Sequence, residues 1–268
     1  MLIRVAAAAV GLAVILPAII YGGELAVEIL VPFFMLIVLQ EYATMAFPDD
    51  RNAAFGWLTL GSAGVYVPWI YGDAVQLPPA VAAVVLLTMV LVTLRPGPDI
   101  SKAADRFGRY LAGMAWIGFL PFLIQLRRLD HGLAWIFLVM TISWCGDTGG
   151  YFAGKYLGRH KLYPRISPKK TWEGVFGGMA LATAGVFVVR AVGLPSLTPL
   201  DCVILGVVLC GAGVIGDLSE SMLKRAFDVK DSGWIMPGHG GILDRIDSIL
   251  FVTPLLYGYA VWVKGFGG

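Results

Sequence analysis

The chain has 268 residues, of which 58% are hydrophobic and only 14% charged, and its mean hydropathy is +0.78. An ordinary soluble domain carries about 25% charged residues, so this composition excludes one and places the chain among membrane proteins. The net charge of +2 says little by itself, because the distribution of lysine and arginine between loops is what orients a membrane protein; no nucleic-acid partner is expected.

Apolar runs bounded by charges, prolines or glycines predict spans near 3–22, 25–47, 53–71, 78–94, 108–126, 132–152, 173–194, 200–222 and 241–264. An all-α, polytopic transmembrane protein of about nine spans is therefore expected. The first run reads as a retained span and not a signal peptide, since Tyr21-Gly22-Gly23-Glu24 is a poor cleavage site. The third run is interrupted by Gly56, Gly61, Gly64 and Pro68, and the fourth starts after Pro78-Pro79. With nine spans, all but Arg127, Arg128, Arg190 and Lys264 of the 20 basic residues share one side. The positive-inside rule makes that side, and the N-terminus, cytoplasmic. Residues 1–130 read as scaffold helices and 131–268 as the site-bearing part of one membrane-embedded unit. Cys145, Cys202 and Cys210 lie in apolar stretches without metal-ligand spacing and read as small core residues.

Four constellations hold the polar chemistry. Asp147 and Thr148 close the sixth run, among glycines at 146, 150, 154 and 158 that suit close helix packing. An aspartate near the bilayer is costly unless paired, hydrated or bound to a cation. The loop from Lys155 to Glu173 is strongly basic and contains Lys169 and Lys170. It reads either as a topology determinant that attracts anionic lipids or as a phosphate cradle. In the eighth run Asp217, Ser221 and Lys224 fall at i, i+4 and i+7, one polar stripe followed by Arg225. The preceding Gly211-Ala212-Gly213-Val214-Ile215-Gly216 fits a dinucleotide-loop spacing, but no βαβ unit surrounds it, so it reads as helix packing. Last, Lys230, Asp231 and His239 precede Gly240-Gly241, and Asp244 and Asp247 flank Arg245 on one helix face. Hard oxygen ligands beside cations are what a magnesium-nucleotide site needs, while His239 alone reads first as a hydrogen-bonding loop residue.

Ser221-x-x-Lys224-Arg225-x4-Lys230-Asp231-x-Gly233 with Pro237-x-His239-Gly240-Gly241-x-x-Asp244-Arg245-x-Asp247 resembles the signature of the phosphatidate cytidylyltransferase, or CDP-diglyceride synthetase, family. The segments Asp147 to Tyr151 and Ser167 to Gly174 resemble further parts of it. Met236 departs from the expected Leu, Ile or Phe, and the first 140 residues agree only in being hydrophobic. The resemblance implies a helical, homodimeric enzyme of the cell inner membrane, multi-pass, with its site facing the cytoplasm. Its partners would be CTP, phosphatidate and membrane lipids, and its products CDP-diacylglycerol and pyrophosphate. Its cofactors would be Mg2+ and a second, monovalent cation such as K+.

Carried onto this chain, Asp217 and Asp244 become the first metal ligands, with Asp147, Asp231 and Asp247 as further members of the acidic set. Lys224, Arg225 and Arg245 would serve catalysis by neutralising charge; Lys169, Lys170, Ser221, Lys230, His239 and Thr148 would bind substrate or phosphate. Phosphatidate is already largely ionised at neutral pH, so in-line attack on the α-phosphorus needs positioning and charge cancellation more than a protein base. Competing readings are an ion-coupled carrier, which intramembrane carboxylates also suit, and a lipid kinase or another activated-headgroup transferase.

Overall fold

The computed structural model describes residues 2–72, 74–97, 99–235 and 240–266. Among the described residues the longer helices follow in chain order: α1 Leu2–Tyr21, α2 Gly23–Ala46, α3 Arg51–Tyr71, α4 Leu77–Leu94, α5 Ala103–Ile117, α6 Phe122–Arg128, α7 Gly132–Tyr156, α8 Trp172–Gly193, α9 Pro199–Ala226 and α10 Leu243–Val263. Six helical stretches among the described residues are long and apolar enough to cross a membrane: Gly23–Ala46, Leu77–Leu94, Ile100–Arg128, Trp172–Gly193, Pro199–Ala226 and Leu243–Val263. The protein is thus an all-α membrane protein. The runs expected as spans in α3 and α7 do form helices, of 21 and 25 residues. Their glycine, serine, threonine and aspartate content keeps them less apolar than the six.

The loop between α7 and α8 differs from the helix-and-loop expectation. Lys161–Tyr163 (β1) and Ser167–Thr171 (β2) pair as an antiparallel hairpin, so the basic segment has a defined backbone.

Packing divides the chain into two compact units, Met1–Ile29 with Phe122–Gly268, and Leu30–Pro121. In the second unit Val38, Leu39, Tyr42, Leu58 and Ile117 are almost wholly buried. Several of its buried polar groups find partners, which offsets the cost of taking them out of water. The Tyr42 hydroxyl donates to the Arg109 carbonyl at 2.8 Å, and the Trp57 indole donates to Thr88 Oγ1 at 3.1 Å. Arg106 pairs with Asp50 at 2.5 Å while its guanidinium lies over the Phe47 and Tyr110 rings.

The first unit is organised by the α7–α8 contact. Gly146, Gly149 and Gly150 on α7 face Gly174, Gly177 and Gly178 on α8 so closely that a Cβ on Gly149 would sit 2.5 Å from the Gly177 carbonyl oxygen. One on Gly178 would sit 2.7 Å from the Gly146 oxygen. Small residues let two backbones approach this far, which is how helices gain contact where lipid offers no hydrophobic drive. The sequence expectation of close glycine packing is met here.

Side-chain capping also sets the start of α9. Thr198 and Asp201 form a reciprocal capping box, with Pro199 in the first turn of α9. Asp201 also accepts from Tyr259 at 2.5 Å and Lys264 at 2.8 Å, tying the start of α9 to the end of α10. Arg128 at the end of α6 binds Glu24 at 2.7 Å and Glu28 at 2.5 Å on α2. Between them α9 widens into π-helical turns at Leu205–Leu209, where Gly206 lies against Thr183 of α8. The three cysteines are free thiols, in keeping with a packing role.

Candidate active site

A cleft of about 370 Å³ opens in the first unit, walled by α7, the hairpin, α8 and α9. Asp147, Tyr151 and Lys155 reach it from α7, Lys169 and Lys170 from β2, and Asp217 from α9. Its floor is Gly146, Gly150, Gly154, Gly174 and Gly178, so the glycine seam that joins the helices also leaves room for a ligand between them.

The hairpin is held where its lysines can act. His160 presents its backbone N–H to Glu173 at 3.2 Å and its Nδ1 to the same carboxylate at 2.6 Å. Thr171, buried at the junction, accepts from the Gly174 N–H at 3.2 Å as the N-cap of α8. Its side chain also fills the space above Gly154 and Gly158. Thr171→Ala is therefore expected to lower stability by about 0.5–2 kcal/mol, the usual worth of an N-cap. Thermal unfolding of the detergent-solubilised protein measures this.

Lys170 Nζ bonds Asp217 Oδ2 at 2.7 Å, with both side chains partly exposed, and Ser221 Oγ donates to Asp217 Oδ1 at 3.3 Å. Of the expected Asp217–Ser221–Lys224 stripe, Asp217 and Ser221 meet, with Lys170 as an added partner. Asp147, Asp217 and Asp247 lie within reach of one another's charge, as does Lys170, and Arg245 acts on Asp147. Asp247 Oδ1 accepts from the Ser248 N–H at 2.6 Å. Four helical or hairpin segments that are remote in sequence therefore contribute charges that act on one another.

Asp244 and Lys224 are placed differently. Neither is a wall of the cleft. Lys224, 11% exposed, bridges Glu220 Oε2 at 2.7 Å and Asp244 Oδ1 at 2.5 Å. Asp244 Oδ2 accepts from the Ser232 N–H at 3.0 Å, the Ser232 hydroxyl at 2.9 Å and the Gly241 N–H at 2.8 Å. Three donors thus share Oδ2, while Oδ1 receives the Lys224 ammonium. Gly240, at φ +81°, is where the chain needs a glycine: a Cβ there would lie 2.5 Å from Asp244 Oδ2.

Arg225, Lys230, Asp231 and Arg245 are exposed, and Thr148 is exposed beside Asp147. His239, like Met236, lies outside the described residues. Sequence reasoning passed over Glu220, Ser232 and the cleft-lining side of Lys155. Glu220 carries one available signal, its i, i+4 spacing to Lys224.

The cleft has carboxylates for a hard cation and a rim of ammonium groups for phosphate, which is chemistry for a nucleotide's polyphosphate. A family model described as the cytidylyltransferase family matches residues 2–263. A phosphatidate cytidylyltransferase from Bacillus subtilis (strain 168) is 44% identical over 155 residues, 57% of this chain and 58% of that relative. The chain thus spans little more than half of the Bacillus relative. Along nearly its whole length it is similar to the phosphatidate cytidylyltransferases of Staphylococcus aureus (strain COL), at 35% identity over 96% of this chain and 97% of the relative. The Staphylococcus epidermidis (strain ATCC 12228) protein of the same name is 34% identical, with the same coverage.

Proposed function

We propose that this chain, which belongs to the cytidylyltransferase family, transfers the cytidylyl group of CTP to phosphatidate, giving CDP-diacylglycerol and pyrophosphate. The observation that carries the proposal is the cleft itself, where Asp147 and Asp217 face Lys155, Lys169 and Lys170 in a chain built of membrane helices. A phosphate oxygen of phosphatidate attacks the α-phosphorus, a new P–O–P link forms, the bond from the α-phosphorus to the bridging oxygen breaks, and pyrophosphate leaves. Both partners are anionic, so the protein's contribution is positioning and electrostatic stabilisation.

Mg2+ and a monovalent cation such as K+ belong to this reading. Among the described residues no three of His, Cys, Asp and Glu stand as a closed metal cage. That suits magnesium, which takes one or two carboxylates and completes its shell with water and phosphate oxygens. Asp217, with Asp147 and Asp247 beside it, would hold the ion, which when bound supplies charge neutralisation on the CTP phosphates. Lys169 and Lys170 line the cleft as phosphate partners, and Arg245 adds a further cation near Asp147. Ser221 orients Asp217 by its hydrogen bond. Lys224 joins Asp244 to α9, Asp231 and Lys230 are exposed after α9, and Arg225 is exposed in its last turn.

The proposal carries an orientation. Adding α1, α3 and α7 to the six apolar stretches brings nine spans, and the basic side of that count would face the cytoplasm with the N-terminus. CTP would then enter from the cytoplasm and phosphatidate from the lipid, at the inner membrane, in a homodimer.

Purified protein in vesicles, given labelled CTP, phosphatidate and Mg2+ without an ion gradient, is expected to form a labelled lipid and pyrophosphate in equal amounts. Gradient-dependent uptake with no lipid product would favour a carrier. Equal use of other nucleotides would favour a different headgroup transferase or kinase.

A further inference from the structure

Glu220 lies on α9 one turn before Lys224, and its side chain is 1% exposed. One oxygen, Oε2, receives the Lys224 ammonium; the other, Oε1, is buried with no hydrogen-bond donor aimed at it among the described residues. The same ammonium bonds Asp244, whose second oxygen gathers the Ser232 N–H, the Ser232 hydroxyl and the Gly241 N–H. Ser232 and Gly241 lie towards the two ends of the linker 227–242, which contains much of the motif singled out in the sequence.

Glu220 is thus a second carboxylate on a lysine that already has one. A buried acceptor without a donor is costly, and an apolar residue of similar size would fill the place at less expense. Two carboxylates, however, fix two of the three ammonium donors and so set the position of Nζ. A lysine with Asp244 alone could swing on its four-carbon stem towards any phosphate nearby. Clamped from both sides, it stays on Asp244, and Asp244 stays on the linker.

We propose that Glu220 is a positioning residue: it holds Lys224 against Asp244, and through Asp244 it holds Ser232 and Gly241 to the start of α10. The inference deepens the cytidylyltransferase reading, on which its activity arm rests, and Glu220 itself touches no substrate.

Hydrogen exchange on the full chain in detergent tests it, with Glu220→Leu as the variant that keeps size and loses both oxygens. Peptides containing Ser232 and Gly241 are expected to exchange about tenfold faster, the size of coupling usual within one buried network, while peptides from α7 and α8 are unchanged. CTP-dependent turnover is expected to fall by about tenfold for the same reason. In a double-mutant cycle, Glu220→Leu added to Lys224→Met is expected to cost nothing further, because its action runs through that lysine. Unchanged exchange at Ser232 and Gly241, a speed-up shared by α7 and α8, or additive costs in the cycle would each overturn the proposal. If the protein made no CDP-diacylglycerol at all, the exchange arm and the cycle read by thermal unfolding would still decide the role of Glu220.

Discussion

Asp217→Asn is expected to lower CTP-dependent formation of CDP-diacylglycerol by about 10²–10³-fold, the usual consequence of removing one preorganised electrostatic group from an active site. The fold should barely register the change. The Asp217 side chain is 33% exposed and its ion partner Lys170 is 24% exposed, so the pair contributes about 0–1 kcal/mol after solvent screening. Asparagine also keeps an oxygen for the Ser221 hydroxyl. Asp244→Ala should show the reverse emphasis. That side chain is 7% exposed and bound to Lys224, and breaking a buried pair from one side costs about 3–5 kcal/mol. Measuring turnover and thermal unfolding on both variants separates the two jobs. If Asp217→Asn kept its turnover, the cleft would not be where the nucleotide reacts. If Asp244→Ala kept its stability, the Lys224 pair would not be what that side chain contributes to the fold.

Much of the site could be read before any coordinates, and the reason lies in the medium. In a chain this apolar each carboxylate or ammonium near the bilayer needs an explanation, so Asp147, Asp217, Asp247 and Lys170 stood out singly. The structure adds which of them meet: Lys170 with Asp217, and the three aspartates within reach of one another. Lys224 is the instructive case. Helical spacing offered it two faces, one shared with Asp217 and Ser221 and one with Glu220. What selects the second is Asp244, twenty residues further on and brought alongside only when α9 and α10 pack. Periodicity within one helix carries no information about that choice. The hairpin was hidden for a related reason, since a basic segment with Pro164 and Pro168 lacks the alternation that marks strands. The Glu173 carboxylate on His160 closes its open end from just outside the two strands.

Gly177→Leu is expected to cause the broadest loss, in stability and in activity together. Even a single Cβ at Gly177 would overlap the Ala153 methyl and come within 3.1 Å of the Gly149 oxygen, and neither neighbour is the free end of a flexible chain. The helices must therefore move apart. Overpacking a tight core costs about 1–3 kcal/mol, and a seam of backbone against backbone offers little room for relief. The activity loss has a separate cause. α7 carries Asp147, and α8 anchors the hairpin that carries Lys170, so a shift of the seam changes the separation of opposite walls of the cleft. A displacement of about 1 Å at a reacting centre can cost about 10²-fold in rate. Gly56→Ala is the matched control, because a Cβ there meets nothing within 4 Å and a mid-helix alanine should stabilise by about 0.5–1 kcal/mol. Thermal unfolding and turnover of the pair check the argument. A Gly177→Leu protein that melted and turned over like the parent would mean that the seam is not what spaces the two walls.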